Sequence, residues 1–238
     1  MTLPIYDYAA LSDEECDERI VAAKAKLGER CVILGHHYQR DEVIAFADIT
    51  GDSFKLAQAA EANSSAEYIF FCGVHFMAES ADILTSGTQK VVLPDMAAGC
   101  SMADMATANQ VASAWKVFQS LGIANKTIPI TYMNSSAAIK SFTGENGGTV
   151  CTSSNAERAL RWAFDKGEKV FFLPDQHLGR NTAVLKLGIS LDECVVWNPW
   201  KPQGGLTDEQ LRAAKMILWR GHCSVHGRFS RANIDHAR

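Results

Sequence analysis

The feature that most restricts this chain is a series of short, nearly unbroken apolar runs, several of them separated from the next by a stretch with helical periodicity. Cys31 to Leu34, Tyr68 to Cys72 and Lys90 to Leu93 are followed by Ile128 to Tyr132, Thr149 to Cys151, Val170 to Leu173 and Glu193 to Trp197. A strand with water on one face alternates apolar and polar residues. Runs without alternation are expected where helices cover both faces of a parallel sheet. The fold class that follows is α/β, built of repeated αβα units with small parallel sheets.

Punctuation between the runs supports this reading. Ser12 with Glu15 and Thr107 with Gln110 are capping-box pairs; the first precedes a helix with Ile20, Val21, Ala25 and Leu27 on an apolar side and Gly28 at its end. The second precedes Val111, Ala114, Trp115, Phe118 and Leu121, stopped by Gly122. Asn155 is expected to cap a helix from Ala156 to Lys166. The text VVLPD at 91 to 95 returns as FFLPD at 171 to 175, which suggests an internal duplication of an 80-residue unit. A third unit is expected to begin at Glu193 and to continue into a capped helix from Thr207 to Leu218. The expected division is 1–104, 105–190 and 191–238, the last unit being incomplete.

Bulk properties exclude several function classes. With 23 Lys and Arg against 27 Asp and Glu, a net charge of −4 and no basic runs, nothing favours a nucleic-acid surface. No stretch approaches the roughly 18 apolar residues of a membrane span, and the N-terminal stretch MTLPIYDYAALSDEECDER carries no leader pattern. The expected compartment is the cytoplasm. Seven cysteines without compact spacing disfavour a disulfide framework and leave core thiols or metal ligands. Cys31, Cys72, Cys151 and Cys194 lie in strand-like runs and read as small hydrophobes, and Cys16 as a surface helix residue.

Polar residues gather at the ends of the runs, where open parallel sheets keep their ligands. His36, His37, Tyr38 and Gln39 follow the first run, and Gly51, Asp52 and Ser53 precede a helix, so backbone N–H groups and the Ser53 hydroxyl could face an anion. Two readings stand: a site for a small acid or phosphate, or ordinary loop histidines and a helix cap. Cys100 in DMAAGCSMADM and Cys223 in GHCSVHGRF occupy small-residue loops that leave thiols accessible. They could converge on one metal centre, with iron–sulfur or zinc suited to soft sulfur, or stay free loop thiols.

Taken together, GHHYQ at 35–39, GDS at 51–53, GVHFMAE at 73–79, LPDMAAGCSMA at 93–103, TYMNSSAAIK at 131–140, CTSSNA at 151–156 and GHCSVH at 221–226 resemble the successive motifs of the quinolinate synthase family. The resemblance implies three pseudo-equivalent αβα units about a central axis, each giving one cysteine to a [4Fe-4S] cluster with one open iron. It implies condensation of iminoaspartate with dihydroxyacetone phosphate, a transferase reaction in NAD biosynthesis, with a functional link to L-aspartate oxidase as the source of iminoaspartate. By the same resemblance, Cys100 and Cys223 are cluster ligands. His36 and Ser53 hold carboxylate or phosphate oxygens, and Asn134 and Ser153 fix carboxylates. Tyr38 and Tyr132 take part in proton transfers, with their phenols shifted toward useful pKa values, and His226 sits over the substrate.

The family pattern also has a third cysteine, a His and Glu pair and a Ser-Thr-Gly turn downstream of GHCxVH, which have no counterpart after His226. From these residues alone, little activity and an incomplete cluster are expected. The alternative is a non-catalytic α/β module that keeps a dicarboxylate site without the cluster. A zinc hydrolase using His36, His37 and His226 is the poorer reading, because no HExxH spacing accompanies them.

Overall fold

The computed structural model describes residues 8–237; the first seven residues of the N-terminal stretch and the terminal Arg238 lie outside them. The chain divides into two compact units, Met1–Ala98 and Gly99–Arg238.

The first unit contains helix α1 (Asp13–Leu27), strand β1 (Cys31–His36), the short helix α2 (Asp41–Ile44), β2 (Ile49–Gly51), α3 (Ser53–Ala62), β3 (Tyr68–Cys72), α4 (His75–Leu84) and β4 (Lys90–Val92). Its four strands lie in the order β2-β1-β3-β4, all parallel. Leu34, Ile69 and Phe71 of the sheet are fully buried, as are Leu56, Ala57 and Ala60 of α3 and Ala81 of α4. Gly35 has a steric reason for its place: a Cβ there would come within 2.8 Å of both Ala47 and Ile44, so its absence lets the α2 segment lie against β1. The Ser12 capping box forms, but the apolar side expected of α1 is not covered. None of its residues is buried, and Ile20, Ala23 and Leu27 line a groove of about 560 Å³ with Ile33 and Phe70.

The second unit contains α5 (Ala108–Ser120), β5 (Thr127–Tyr132), α6 (Ala137–Glu145), β6 (Thr149–Cys151), α7 (Ala156–Phe164), β7 (Lys169–Leu173), α8 (Gln176–Leu187), β8 (Cys194–Trp197), α9 (Asp208–Ala213), β9 (Met216–Trp219) and α10 (Arg231–His236). Its five strands run in the order β6-β5-β7-β9-β8, again all parallel. Phe171 and Leu173 of β7 and Ile217 and Trp219 of β9 enter one core with Trp115, Phe118 and Trp197. Val170 and Phe172, with Met216 and Leu218, enter the other with Ile130, Leu160 and Ala183. Both faces of each strand are therefore apolar, which is why the sequence shows no alternation. The Phe118 ring meets Phe171 and Trp197 edge-on, with centroids 5.0 and 5.4 Å apart.

Three expectations need correction. The helix expected from Thr207 to Leu218 ends at Ala213, and Met216–Trp219 is a strand. All four of its residues are fully buried, a setting between β7 and β8 that a run without polar positions fits and an amphipathic helix does not. Residues 191–238, expected as a separate partial unit, thus place both their strands in the second sheet. The VVLPD and FFLPD echo falls on strands that are not equivalent, since β4 is fourth in its sheet and β7 third. Strand order pairs β1 with β5, β2 with β6, β3 with β7 and β4 with β9, at an offset nearer a hundred residues for the central strands; β8 and α9 are an insertion before the fourth strand.

This equivalence aligns the sequence motifs. Tyr38 and Asn134 each stand two residues past the end of a first strand, and Ser53 and Ser153 two past a second. Cys100 and Cys223 each follow a fourth strand, and each is followed by serine. Among the described residues, no helix is long and apolar enough to cross a membrane.

Candidate functional site

In the first unit, His36 ends β1 and is 5% exposed. The Tyr38 backbone N–H donates to His36 Nδ1 at 3.3 Å, so the proton of the neutral ring resides on Nε2. Burial, with the adjacent His37, pushes the His36 pKa down. The His36, His37 and Tyr38 rings are clustered, with centroids 4.4 to 4.8 Å apart, and Tyr38 is exposed. Ser53 is the first residue of α3 rather than its cap. Asp52 is the cap, its carboxylate accepting from Phe54 N at 3.1 Å and Lys55 N at 2.9 Å. Those two backbone donors, expected to face an anion, are occupied by the protein's own carboxylate, which leaves the Ser53 hydroxyl.

In the second unit, Tyr132, Ser153, Cys223 and His226 line one cleft of about 510 Å³, together with Met102, Asp175, His177, Asn181 and His222. The Tyr132 phenol is hydrogen-bonded to Ser153, but burial pushes its pKa up, and Cys151, Asp175 and Cys223 add to the rise. In this cleft Tyr132 therefore holds its proton. Ser153 owes its place to a turn. Asn155 stands at the N-cap position of α7 as expected, but its side chain does not bond the helix; its Oδ1 reaches back to accept from Thr152 N at 2.7 Å. Asn134 lies in the loop immediately after β5 and is not part of the cleft lining.

The two cysteine loops are built alike and touch. The Cys100 carbonyl accepts from Asp104 N at 3.1 Å, and the Cys223 carbonyl accepts from Gly227 N at 3.2 Å, one helical turn in each case. The hydroxyls of Ser101 and Ser224 lie 3.2 Å apart. The His226 backbone N–H donates to Cys223 Sγ at 3.4 Å. Both thiols are partly accessible, whereas burial raises the pKa of Cys31, Cys72 and Cys194 and pushes that of Cys151 up to about 12. Soft thiols in small-residue loops suit an iron–sulfur centre. Among the described residues, no group of three or more His, Cys, Asp and Glu side chains is placed to hold a metal ion.

Sequence reasoning missed Asp175, His177 and Asn181. Asp175 is 5% exposed and caps α8 through Leu178 N. The signal that finds it is the strand equivalence, because the residues just past β7 are the third-strand counterpart of the GVH segment past β3.

The family model described as NadA, Quinolinate synthetase A protein, matches residues 18–238. The chain belongs to this family. It is 68% identical over 232 residues to the quinolinate synthase of Streptomyces coelicolor, covering 98% of this chain and 59% of that protein. It is 66% identical over 238 residues to that of a Nocardioides species, covering 98% and 60%, and 54% identical over 231 residues to that of Bacillus subtilis, covering 97% and 62%. The chain therefore spans about 60% of the length of these quinolinate synthases, and the seven motifs from GHHYQ at 35–39 to GHCSVH at 221–226 lie within residues 18–238.

Proposed function

We propose that this chain carries the part of a quinolinate synthase that binds and activates iminoaspartate and dihydroxyacetone phosphate for closure of the pyridine ring. The reaction releases phosphate and two waters, and an amino-acid oxidase acting on L-aspartate is the source of iminoaspartate. The observation that carries this reading is the meeting of the two Cys-Ser loops at Ser101 and Ser224, beside a cleft lined by Tyr132, Ser153 and His226. Cys100 and Cys223 would hold a [4Fe-4S] cluster, which when bound supplies an open iron as Lewis acid.

The chain's own groups have separable tasks. Tyr132, kept protonated by its surroundings, donates from its phenol Oη to a leaving hydroxyl, and Ser153 orients that phenol. His226, three residues after Cys223, donates from its ring to a substrate oxygen, and Asn134 binds a carboxylate with its amide. In the first unit, neutral His36 presents Nε2–H to a carboxylate or phosphate oxygen, assisted by the Ser53 hydroxyl. Tyr38, exposed beside it, carries a proton to or from that oxygen.

Anaerobic reconstitution with iron and sulfide tests the proposal. The wild-type chain should take up iron with a brown absorbance that is lost in Cys100→Ser and in Cys223→Ser. Uptake undiminished in the double variant would overturn it. A second reading is a dicarboxylate-binding module without the cluster, in keeping with the finding that no group of three or more His, Cys, Asp and Glu among the described residues is placed to hold a metal ion; colourless protein that still binds a dicarboxylate would support that one.

A further inference from the structure

Met105 is placed to tie the two cysteine loops together, although no motif argument points to it. It closes the short helical turn Ala103–Met105, which the Asp104 N–H anchors to the Cys100 carbonyl. From there it makes two bonds to the other loop. Its carbonyl accepts the Trp219 indole N–H at 2.7 Å, and its thioether sulfur accepts the His222 backbone N–H at 3.3 Å. Trp219 is fully buried as the last residue of β9, so it is a fixed point, and His222 directly precedes Cys223. On the far side, Gly221 is held in turn, its carbonyl accepting from Gln176 N at 3.1 Å.

From this geometry we infer that Met105 is the positioning residue that sets the separation of Cys100 and Cys223, by fastening the residue before Cys223 to the turn that begins at Cys100. The exposed Ser101 and Ser224 hydroxyls meet at 3.2 Å, but each can exchange its partner for water at little cost. The Met105 carbonyl bond ends on the donor of a buried ring, and the thioether bond, although exposed, holds the main chain directly before Cys223, so together they define the loop spacing. The loops are then in register before any cluster binds. This inference rests on the reading that the two cysteines serve one centre.

A thiol-bridging reagent tests it. The full chain, reduced and freed of metal with chelator, is treated with dibromobimane, which joins two nearby thiols and becomes fluorescent, and the bridged peptides are mapped by mass spectrometry. The wild type should bridge Cys100 to Cys223. Met105→Ala, which keeps the carbonyl bond to Trp219 and removes only the thioether bond to His222, should slow bridging about fivefold, the equivalent of one hydrogen bond. Monobromobimane should still label each cysteine singly at its former rate. Met105→Gln, which puts an oxygen acceptor near the sulfur's place, should restore bridging to within about twofold. Wild-type bridging with an unchanged rate in Met105→Ala would overturn the inference, while a wild type that never bridges the pair would overturn the shared-centre reading beneath it. If Met105→Ala does not fold, Trp219→Phe, which keeps a buried ring and removes the indole donor, decides: slowed bridging supports the role and an unchanged rate refutes it.

Discussion

The Ser101 hydroxyl lies 3.2 Å from the Ser224 hydroxyl, across more than a hundred residues of chain, and each serine directly follows a cysteine. The contact brings together two loops that leave the fourth strands of two sheets of matching strand order. The same equivalence makes Ser53 the counterpart of Ser153 and Tyr38 the counterpart of Asn134 in the repeat, so the proposed site residues fall at duplicated strand ends.

Gly221 has no room for a side chain. A methyl group there would overlap the Pro174 carbonyl oxygen, and that oxygen belongs to backbone packed beside the buried Asp175. Gly221→Ala should cost about 1–3 kcal/mol of stability, the range for overpacking that forces a backbone shift, read as a lower denaturant midpoint. The Cys223 loop should also lose its place, so that Cys223 reacts faster with iodoacetamide than in the wild type.

Cys151 is 1% exposed, and its pKa is pushed up to about 12 by burial, from 9.0. Because the folded pKa is raised, this thiol contributes stability that is present below pH 9 and is lost as pH rises toward about 12. Cys151→Ala should therefore show a shallower alkaline loss of stability, by up to about 1.4 kcal/mol per pH unit, in denaturation curves taken across that window. In the wild type at neutral pH, Cys100 and Cys223 should be alkylated while Cys151 stays unmodified.

Asp175→Asn separates charge from capping. The amide oxygen can still accept from Leu178 N, so the α8 cap survives and stability should change by no more than about 0.5 kcal/mol. The carboxylate that helps hold the Tyr132 proton in place is gone. Difference absorbance of tyrosinate, with Tyr132→Phe as the reference, should then show Tyr132 ionising at lower pH than in the wild type. An unchanged titration would remove Asp175 from the account of that phenol.

His36 should remain the neutral Nε2–H tautomer at pH 7, since Nδ1 accepts the Tyr38 N–H and burial lowers its pKa. Its folded pKa lies below the unfolded value, so its contribution is present above about pH 6.5 and declines as pH falls below it. Nitrogen-15 spectra of the imidazole rings check both points. Protonation of His36 above the ordinary histidine range would contradict them.

Much of this was legible in the residues. Unalternating runs such as YIFFC and KVFFL require burial on two faces, hence parallel strands under helices, and short loops at strand ends then mark where ligands are held. Local chemistry also specified the Ser12 and Thr107 caps and the accessible loop setting of Cys100 and Cys223. Other features depend on partners far away in sequence. MILW at 216–219 reads as the end of a helix until β7 and β8 are present to pair with it. The cap of α3 passes to Asp52 and Asn155 turns back to Thr152 because a short polar side chain bonds whichever donor the backbone brings nearest. Asp175 and Met105 acquire their roles only when the loop from β9 folds against them, since periodicity encodes which face is buried but not which distant donor will meet a given carboxylate, carbonyl or sulfur.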